Sequence, residues 1–450
     1  MIRVLSRAAL LSALNRLSAE DRATLIRGGA QAARTLMERH GCQRVLFLCG
    51  EALRPLGAAM AEALLQAGIE AVLPEGADPQ TDLQGALIVD AGLGAEPAWA
   101  QGWMARVEAA GCPVLSLCIP AGVDPDTGYA AQKAFHAAET LSMFGYLSGL
   151  FLHEGLNYGG ELSVLLPGEG GEEDLARFDA SDAASLLPPR RRTAHKGDSG
   201  RALLCVGSPQ YVGAAVLSAR ACLAAGCGIL YVACPDEVRR ALYQVPEAIS
   251  IPVGADWNEQ SSALAAEALA GKQAAGIGCG LGGGDASVLL AAALKAKLPL
   301  ALDADGLNGL SRHPALYPLL HEKVVLTPHP GEMSRLTGLP TEAILADPVH
   351  TAQTYARQWG TVVLLKGAAT VVSDGRRTRI VAEGNAGLGK GGSGDVLTGI
   401  ITGLLAQGMA PFEAACLGSY LLGTSAQRAF DLLKERMLNA SDVIEALARQ

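Results

Sequence analysis

The chain is short of several things that mark whole classes of protein. Aromatic residues make up only 4% of its 450 residues, Lys and Arg (36) do not outnumber Asp and Glu (45), and no apolar run approaches the ~18 residues of a membrane span. A net charge of −9 offers no basic field for a polyanion, so nucleic acid is a poor partner. The short arginine run at Pro189–Arg192 reads as solvated linker. The ten cysteines, at 42, 49, 112, 118, 205, 222, 227, 234, 279 and 416, form no CxxC pair. Most sit in apolar runs, as buried reduced thiols do, which points to a reducing, cytoplasmic setting. At the N-terminus the apolar run Ala8–Leu14 is broken by Asn15 and Arg16, with no small-residue cleavage site after it. The segment reads as an amphipathic helix, and no membrane association is expected.

What remains is rich in Ala, Leu, Val and Gly (54 glycines), the composition of an α/β enzyme. The length predicts two domains. In the first, β-rich runs (Arg44–Cys49, Ala71–Leu73, Ala86–Asp90, Val114–Ile119, Glu161–Leu166) alternate with helical patterns, which predicts a parallel sheet flanked by helices. Between Pro167 and Lys196 the apolar period fails as Gly, Glu, Asp and Pro accumulate. A second alternation runs through Ala202–Val206, Ile229–Cys234, Ala274–Gly278, Leu298–Asp303, Lys323–Thr327 and Thr361–Lys366, and ends in helices from Asp395 onward. The expected division is 1–167 for the first domain, 168–185 for a linker and 186–450 for the second domain.

The strongest chemical signal is GNAGLGKGGSGDVLTG at Gly384–Gly399. Its glycines let backbone amides approach an anion, and a helix beginning near Asp395 adds its positive end, so the segment suits a phosphoryl group. Asp395 would sit beside a reacting hydroxyl, although an ordinary helix N-cap explains an Asp here equally well. Lys366 ends a β-rich run, at the edge where open α/β sheets bind ligands; a surface lysine in a hairpin turn is the alternative. His329 lies between two prolines and is therefore presented from a rigid loop. Glu332 suits either a water-mediated magnesium contact or a helix cap. Asp303 and Asp305 follow a strand and either organise a pocket or satisfy a turn. GCGLGGG at Gly278–Gly284 is a weak dinucleotide fingerprint and a better backbone-approach loop.

These strings occur with HKGDSG (His195–Gly200), GSPQYVGAA (Gly207–Ala215), LDADGLN (Leu302–Asn308), TPHPGE (Thr327–Glu332) and KGAAT (Lys366–Thr370). Together they resemble the ADP- or ATP-dependent NAD(P)H-hydrate dehydratases over about Leu186–Gln450. GGSGD alone would specify only the wider ribokinase-like kinases, and a vitamin-precursor kinase is the runner-up. The resemblance implies a three-layer α/β/α ribokinase-like domain, ADP or ATP with Mg2+ as the co-substrate, and NAD(P)H hydrate as the substrate. It also implies a homo-oligomer. Lys366, Gly367, Ala368, Ala369, Thr370 and Gly394 would contact the nucleotide phosphates. Ala214, Gly280, His329 and Asp395 would line the hydrate, with Asp395 as the base and Glu332 toward magnesium.

Residues 1 to about 165 carry IVDAGLG, with Asp90, and IPAGVDPDTG at Ile119–Gly128. They resemble the NAD(P)H-hydrate epimerase domain often fused to such dehydratases, which implies a Rossmann-like three-layer fold. Where that family has an Asn- and Gly-rich phosphate loop, this chain has CGEALRPLGAAM at Cys49–Met60; Cys118 and Ala121 replace an Asp and a Ser, and the lysine near FGYLSG is missing. The expectation is a degenerate domain, with Asp90 a remnant of a monovalent-cation site.

Overall fold

The computed structural model describes residues 2–449 except 75–80, 94–97, 131–132, 169–173, 188–192, 194 and 435–436, so the arginine run at 190–192 lies outside the described residues. The chain divides into two compact units, 2–176 and 177–450.

In the first unit β1 (Ile2–Leu5) pairs with β7 (Tyr146–Leu147). A parallel sheet holds β2 (Arg44–Cys49), β3 (Glu70–Val72), β4 (Ala86–Ala91), β5 (Val114–Leu117), β6 (Glu139–Met143) and β8 (Glu161–Leu165), in the order β3-β2-β4-β5-β6-β8. All six residues of β4 are buried, as in a strand covered on both faces. The expected N-terminal amphipathic helix is instead a strand followed by two helices, Arg7–Asn15 and Ala19–His40. Ser6 and Ser18 accept from Ala9 N–H and Asp21 N–H and cap them, which explains the breaks.

The expected linker carries β9 (Asp174–Arg177), at the boundary between units, and a helix, Ala180–Leu186. That helix is nucleated by a capping box in which Asp179 accepts from Asp182 N–H and Asp182 accepts from Asp179 N–H. Phe178 and Ala183 join the core of the second unit. Two apolar residues and one box suffice for order here without sustained periodicity.

The second unit is built on β10 (Arg201–Cys205), β11 (Ile229–Cys234), β12 (Ile249–Pro252), β13 (Ala274–Ile277), β14 (Leu300–Leu302), β15 (Val324–Leu326), β16 (Val362–Leu365), β17 (Thr370–Ser373) and β18 (Arg377–Val381). The order is β12-β11-β10-β13-β14-β15-β16-β17-β18, parallel as far as β16 and antiparallel across β17 and β18. The chain starts at β10, runs outward through β11 and β12, then returns to build β13–β16 on the other side. The β10/β13 junction is therefore a topological switch point, and the crevice at the carboxyl ends of those strands is where such sheets bind ligands.

Helix Ser393–Ala406 is buried throughout from Val396 to Ala406 and packs on β10, β13 and β14. It also packs closely on helix Val212–Ala224. A side chain at Gly399 would strike the Ser218 carbonyl, and a Cβ at Gly403 would lie 2.7 Å from the Cys222 carbonyl oxygen. The contacts advance together along both helices, so the two run parallel.

Candidate active site

Five loops converge at the carboxyl ends of the second unit's strands. Those after β10 and β13 are Val206–Tyr211 and Gly278–Gly284; those after β14, β15 and β16 bring Asp303, His329 with Glu332, and Lys366.

At the centre is a buried ion pair. The Lys366 ammonium donates to Asp303 Oδ1 at 2.7 Å and lies 3.7 Å from Glu332 Oε2. Asp303, only 3% exposed at its side chain, accepts on Oδ2 from Thr398 Oγ1 at 3.0 Å and from the Cys279 thiol at 3.9 Å. Burial works to lower the Lys366 pKa, but the two carboxylates outweigh it and hold it above its ordinary value, so the ammonium keeps its charge. The surface-lysine reading of Lys366 does not describe this side chain, although the turn that follows does form a hairpin into β17.

Asp395 is the third residue of its helix. The cap is Gly392, at φ +99°, so Asp395 is not the N-cap. Burial, then the neighbouring Asp303 charge, push its pKa up to about 6, against a hydrogen bond from Cys279 and the Lys366 charge. A carboxylate near 6 is a competent base at neutral pH. Gly394 adjoins it: a Cβ there would lie 3.2 Å from Asp303 Oδ2 and 3.8 Å from Lys366 Nζ, so the glycine-rich turn sits directly over the ion pair.

His329 caps helix Pro330–Thr337. Its Nδ1 accepts from Gly331 N–H (3.0 Å) and Glu332 N–H (3.4 Å), while Glu332 Oε2 accepts from His329 N–H (2.8 Å). Burial holds His329 below its ordinary pKa, in keeping with a neutral ring that accepts at Nδ1. Pro328 O accepts from Lys366 N–H at 2.9 Å, which ties TPHPGE to KGAAT. Gly367 and Ala368 are exposed in the turn, Ala369 is buried and Thr370 opens β17.

A family model described as NAD(P)H-hydrate dehydratase matches residues 202–449, more than half of the chain. The chain belongs to that family. A second model, described as the YjeF-related protein N-terminus, matches residues 28–149. The bifunctional NAD(P)H-hydrate repair enzyme Nnr of Vibrio cholerae serotype O1 is 34% identical over 75% of this chain and 68% of its own length. The enzyme of that name in Escherichia coli K12 is 32% identical over 90% of this chain and 79% of its own. Among solved structures, the ADP/ATP-dependent NAD(P)H-hydrate dehydratase of Bacillus subtilis, co-crystallized with ATP/Mg2+, is 30% identical with a TM-score of 0.51, covering 59% of this chain and 94% of that one. A ribokinase-like superfamily protein of Enterococcus faecalis V583 has 25% identity and a TM-score of 0.54, over 63% and 97%. The vitamin-kinase alternative is not favoured.

In this dehydratase-family unit two of the four expected substrate residues, Ala214 and Gly280, form a second cluster, while His329 and Asp395 belong to the first. Gly280, at φ +64°, adjoins Ala214: a Cβ there would lie 2.8 Å from Ala214 Cβ and 2.7 Å from Tyr211 Cβ. Cys279 joins the clusters, being next to Gly280 in sequence and bonded to the carboxylates. Asp303 and Asp305 separate here: Asp305 Oδ2 accepts from Gly282 N–H at 2.9 Å and organises the glycine loop, while Asp303 is the hub of the ion pair. Cys279, Thr398 and Tyr211 were not singled out from the sequence, because their partners lie 24 to 95 residues away or across a helix interface.

In the first unit Asp90 is fully buried. Oδ1 accepts from Gly92 N–H (3.0 Å), and Oδ2 from Ala121 N–H (2.7 Å) and Ser116 Oγ (2.9 Å). Burial pushes its pKa up to about 6 against those three donors.

Proposed function

We propose that the second unit dehydrates hydrated NADH and NADPH, with ADP as phosphoryl donor. The observation that carries this is Asp395, a carboxylate with a raised pKa in the first turn of a glycine-led helix, one residue from Gly394 over the Lys366–Asp303 pair. Asp395 takes the proton of the C6 hydroxyl as that oxygen attacks the terminal phosphorus of ADP and AMP departs. The ring nitrogen's lone pair then expels phosphate, and loss of a proton from C5 restores the dihydronicotinamide. Backbone amides at Gly391–Gly394 and the Lys366 charge position and stabilise the transferring group. Gly367–Thr370 complete the nucleotide side, and Ala214, Gly280 and His329 the hydrate side.

Glu332 is placed for a water-mediated contact to a nucleotide-bound magnesium rather than for direct ligation. Its carboxylate already accepts from the His329 amide and faces Lys366, and the described residues hold no group of three or more metal-binding side chains.

The proposal includes loss of epimerase chemistry in the first unit. Pro55 lacks an N–H and Arg54 N–H donates to Gly50 O at 3.0 Å, so the loop offers a phosphate fewer amides than the glycine-rich loop that the resemblance implies. The Asp90 carboxylate already accepts from three donors, and the neighbouring Cys118 thiol is pushed by burial up to about 12, where it stays neutral. A cytoplasmic homo-oligomer completes the reading. Among the described residues, no helix is long and apolar enough to cross a membrane.

The test supplies purified protein with the (S)- and (R)-hydrates separately, with ADP or ATP, and follows the return of reduced-nicotinamide absorbance. Recovery from the (S)-hydrate, faster with ADP, and from the (R)-hydrate only at the spontaneous rate is expected. Phosphorylation of a vitamin precursor without hydrate repair overturns the dehydratase reading, and rapid use of the (R)-hydrate overturns the loss of epimerase activity.

A further inference from the structure

We propose that Tyr211 is the aromatic wall of the hydrate site, its ring lying against the conjugated N1–C2=C3–carboxamide part of the hydrated nicotinamide and setting affinity for that substrate; this rests on the dehydratase reading.

The position of Tyr211 follows from helix packing. Helices Val212–Ala224 and Ser393–Ala406 run parallel, and Gly399, the seventh residue of one, packs on Ser218, the seventh residue of the other. Their first turns are therefore level, which puts Ala214 and Asp395, each the third residue of its helix, at the same height at the same end of the pair. Tyr211 is the residue at which helix Val212–Ala224 begins, at the same end of the helix pair as Asp395 and against Gly280. A second path agrees: Cys279 bonds to the carboxylates of the ion-pair cluster, Gly280 follows it, and Tyr211 Cβ fills the space where a Gly280 side chain would go.

The backbone holding the ring is fixed. Tyr211 N–H donates to Ser208 O at 2.9 Å, Gly207 N–H to Cys279 O at 2.8 Å, and the Trp257 indole N–H to Gly207 O at 2.6 Å. The side chain, by contrast, is open: Tyr211 is 56% exposed in a chain with few aromatics, whereas the Trp257 that braces its turn is 5% exposed. A rigidly based, exposed aromatic against a glycine loop, at the same end of the helix pair as the base, is a platform for the planar vinylogous amide of the hydrate, which it holds by apolar contact without hydrogen-bond readout. From that end of the pair, the group within reach is the ring whose hydroxyl the base deprotonates.

Steady-state kinetics of the full chain with (S)-hydrate and ADP test this with Tyr211→Ala and Tyr211→Phe. Tyr211→Ala raises KM for the hydrate about tenfold, the effect of losing one stacking contact, while KM for ADP and kcat change less than threefold. Tyr211→Phe, which keeps the ring and loses the hydroxyl, recovers most of the hydrate affinity. Hydrate KM within twofold of wild type in Tyr211→Ala overturns the proposal, as does a Tyr211→Phe loss equal to that of alanine. A wild-type chain that fails to restore reduced cofactor overturns the dehydratase reading and this one with it.

Discussion

Replacing Asp395 by asparagine should make the protein more stable and nearly inactive at once. The carboxyl's pKa rises from 3.8 to about 6 on folding, chiefly through burial and secondly through Asp303. A raised carboxyl pKa means the folded state penalises the ionised form: the penalty is in full force above about pH 6 and is gone below about pH 4, where the group is protonated in both states. Two units correspond to about 3 kcal/mol as a ceiling, and partial solvent access reduces this to about 1–2 kcal/mol. Asparagine keeps the shape without the charge, so at pH 7 Asp395→Asn should melt roughly 2–6 °C higher, with the gain vanishing between pH 6 and pH 4. Turnover should fall at least about a hundredfold as the general base is lost, and wild-type kcat/KM for the hydrate should drop about tenfold per pH unit below 6. Thermal melts across pH 4–7 and the absorbance assay measure both. Near-normal turnover in Asp395→Asn, or a lower melting temperature at pH 7, refutes the reasoning.

Lys366→Met should be the opposite case, leaving Asp303 and Glu332 buried without their cation; a loss of about 3–5 kcal/mol in melts and at least a tenfold rise in KM for ADP are expected. Unchanged stability would show that Thr398 and water alone satisfy Asp303. Gly280→Ala adds a Cβ 2.7 Å and 2.8 Å from Tyr211 and Ala214 on a left-handed backbone, so stability should fall about 1–3 kcal/mol and hydrate KM should rise while ADP KM holds. Equal effects on the two Michaelis constants would place Gly280 outside the hydrate side.

Much of the fold was legible because parallel strands covered on both faces are continuous apolar runs: Arg44–Cys49 and Ile229–Cys234 are strands with those limits. Less visible were β17 and β18, an antiparallel hairpin that leaves the βαβ rhythm, and the ordered segment after Pro167, whose helix depends on the Asp179 box more than on periodicity. At the site, the glycines and Asp395 were readable because their chemistry is local. What Asp303 does was not, since its partners Cys279, Lys366 and Thr398 lie 24, 63 and 95 residues away and meet it only when β13, β14, β16 and the buried helix assemble. His329 was legible as a fixed loop residue, but its second role, accepting two amide bonds as a cap, needs the helix that follows it.

The two units share a switch-point architecture but line it with different contacts. Each has a switch point, β10/β13 in one and β2/β4 in the other, and each places glycines there. In the second unit Gly278, Gly280 and Gly282 all take positive φ and curve the loop around Tyr211, Ala214 and Asp305, leaving Asp395 and Lys366 in the crevice. In the first, Gly50 N–H donates to Ala91 O at 3.1 Å, and a Cβ on Gly50 would lie 2.9 Å from the Gly92 carbonyl, so the two loops close directly on each other. Behind them Asp90 accepts from Gly92, Ser116 and Ala121, ending as a strut that pins three strand ends. A buried carboxylate near pKa 6 is costly to keep, and its three donors offset that cost only while the loops stay closed. Under the proposed loss of epimerase chemistry, the bonds that hold this crevice closed serve the stability of the unit.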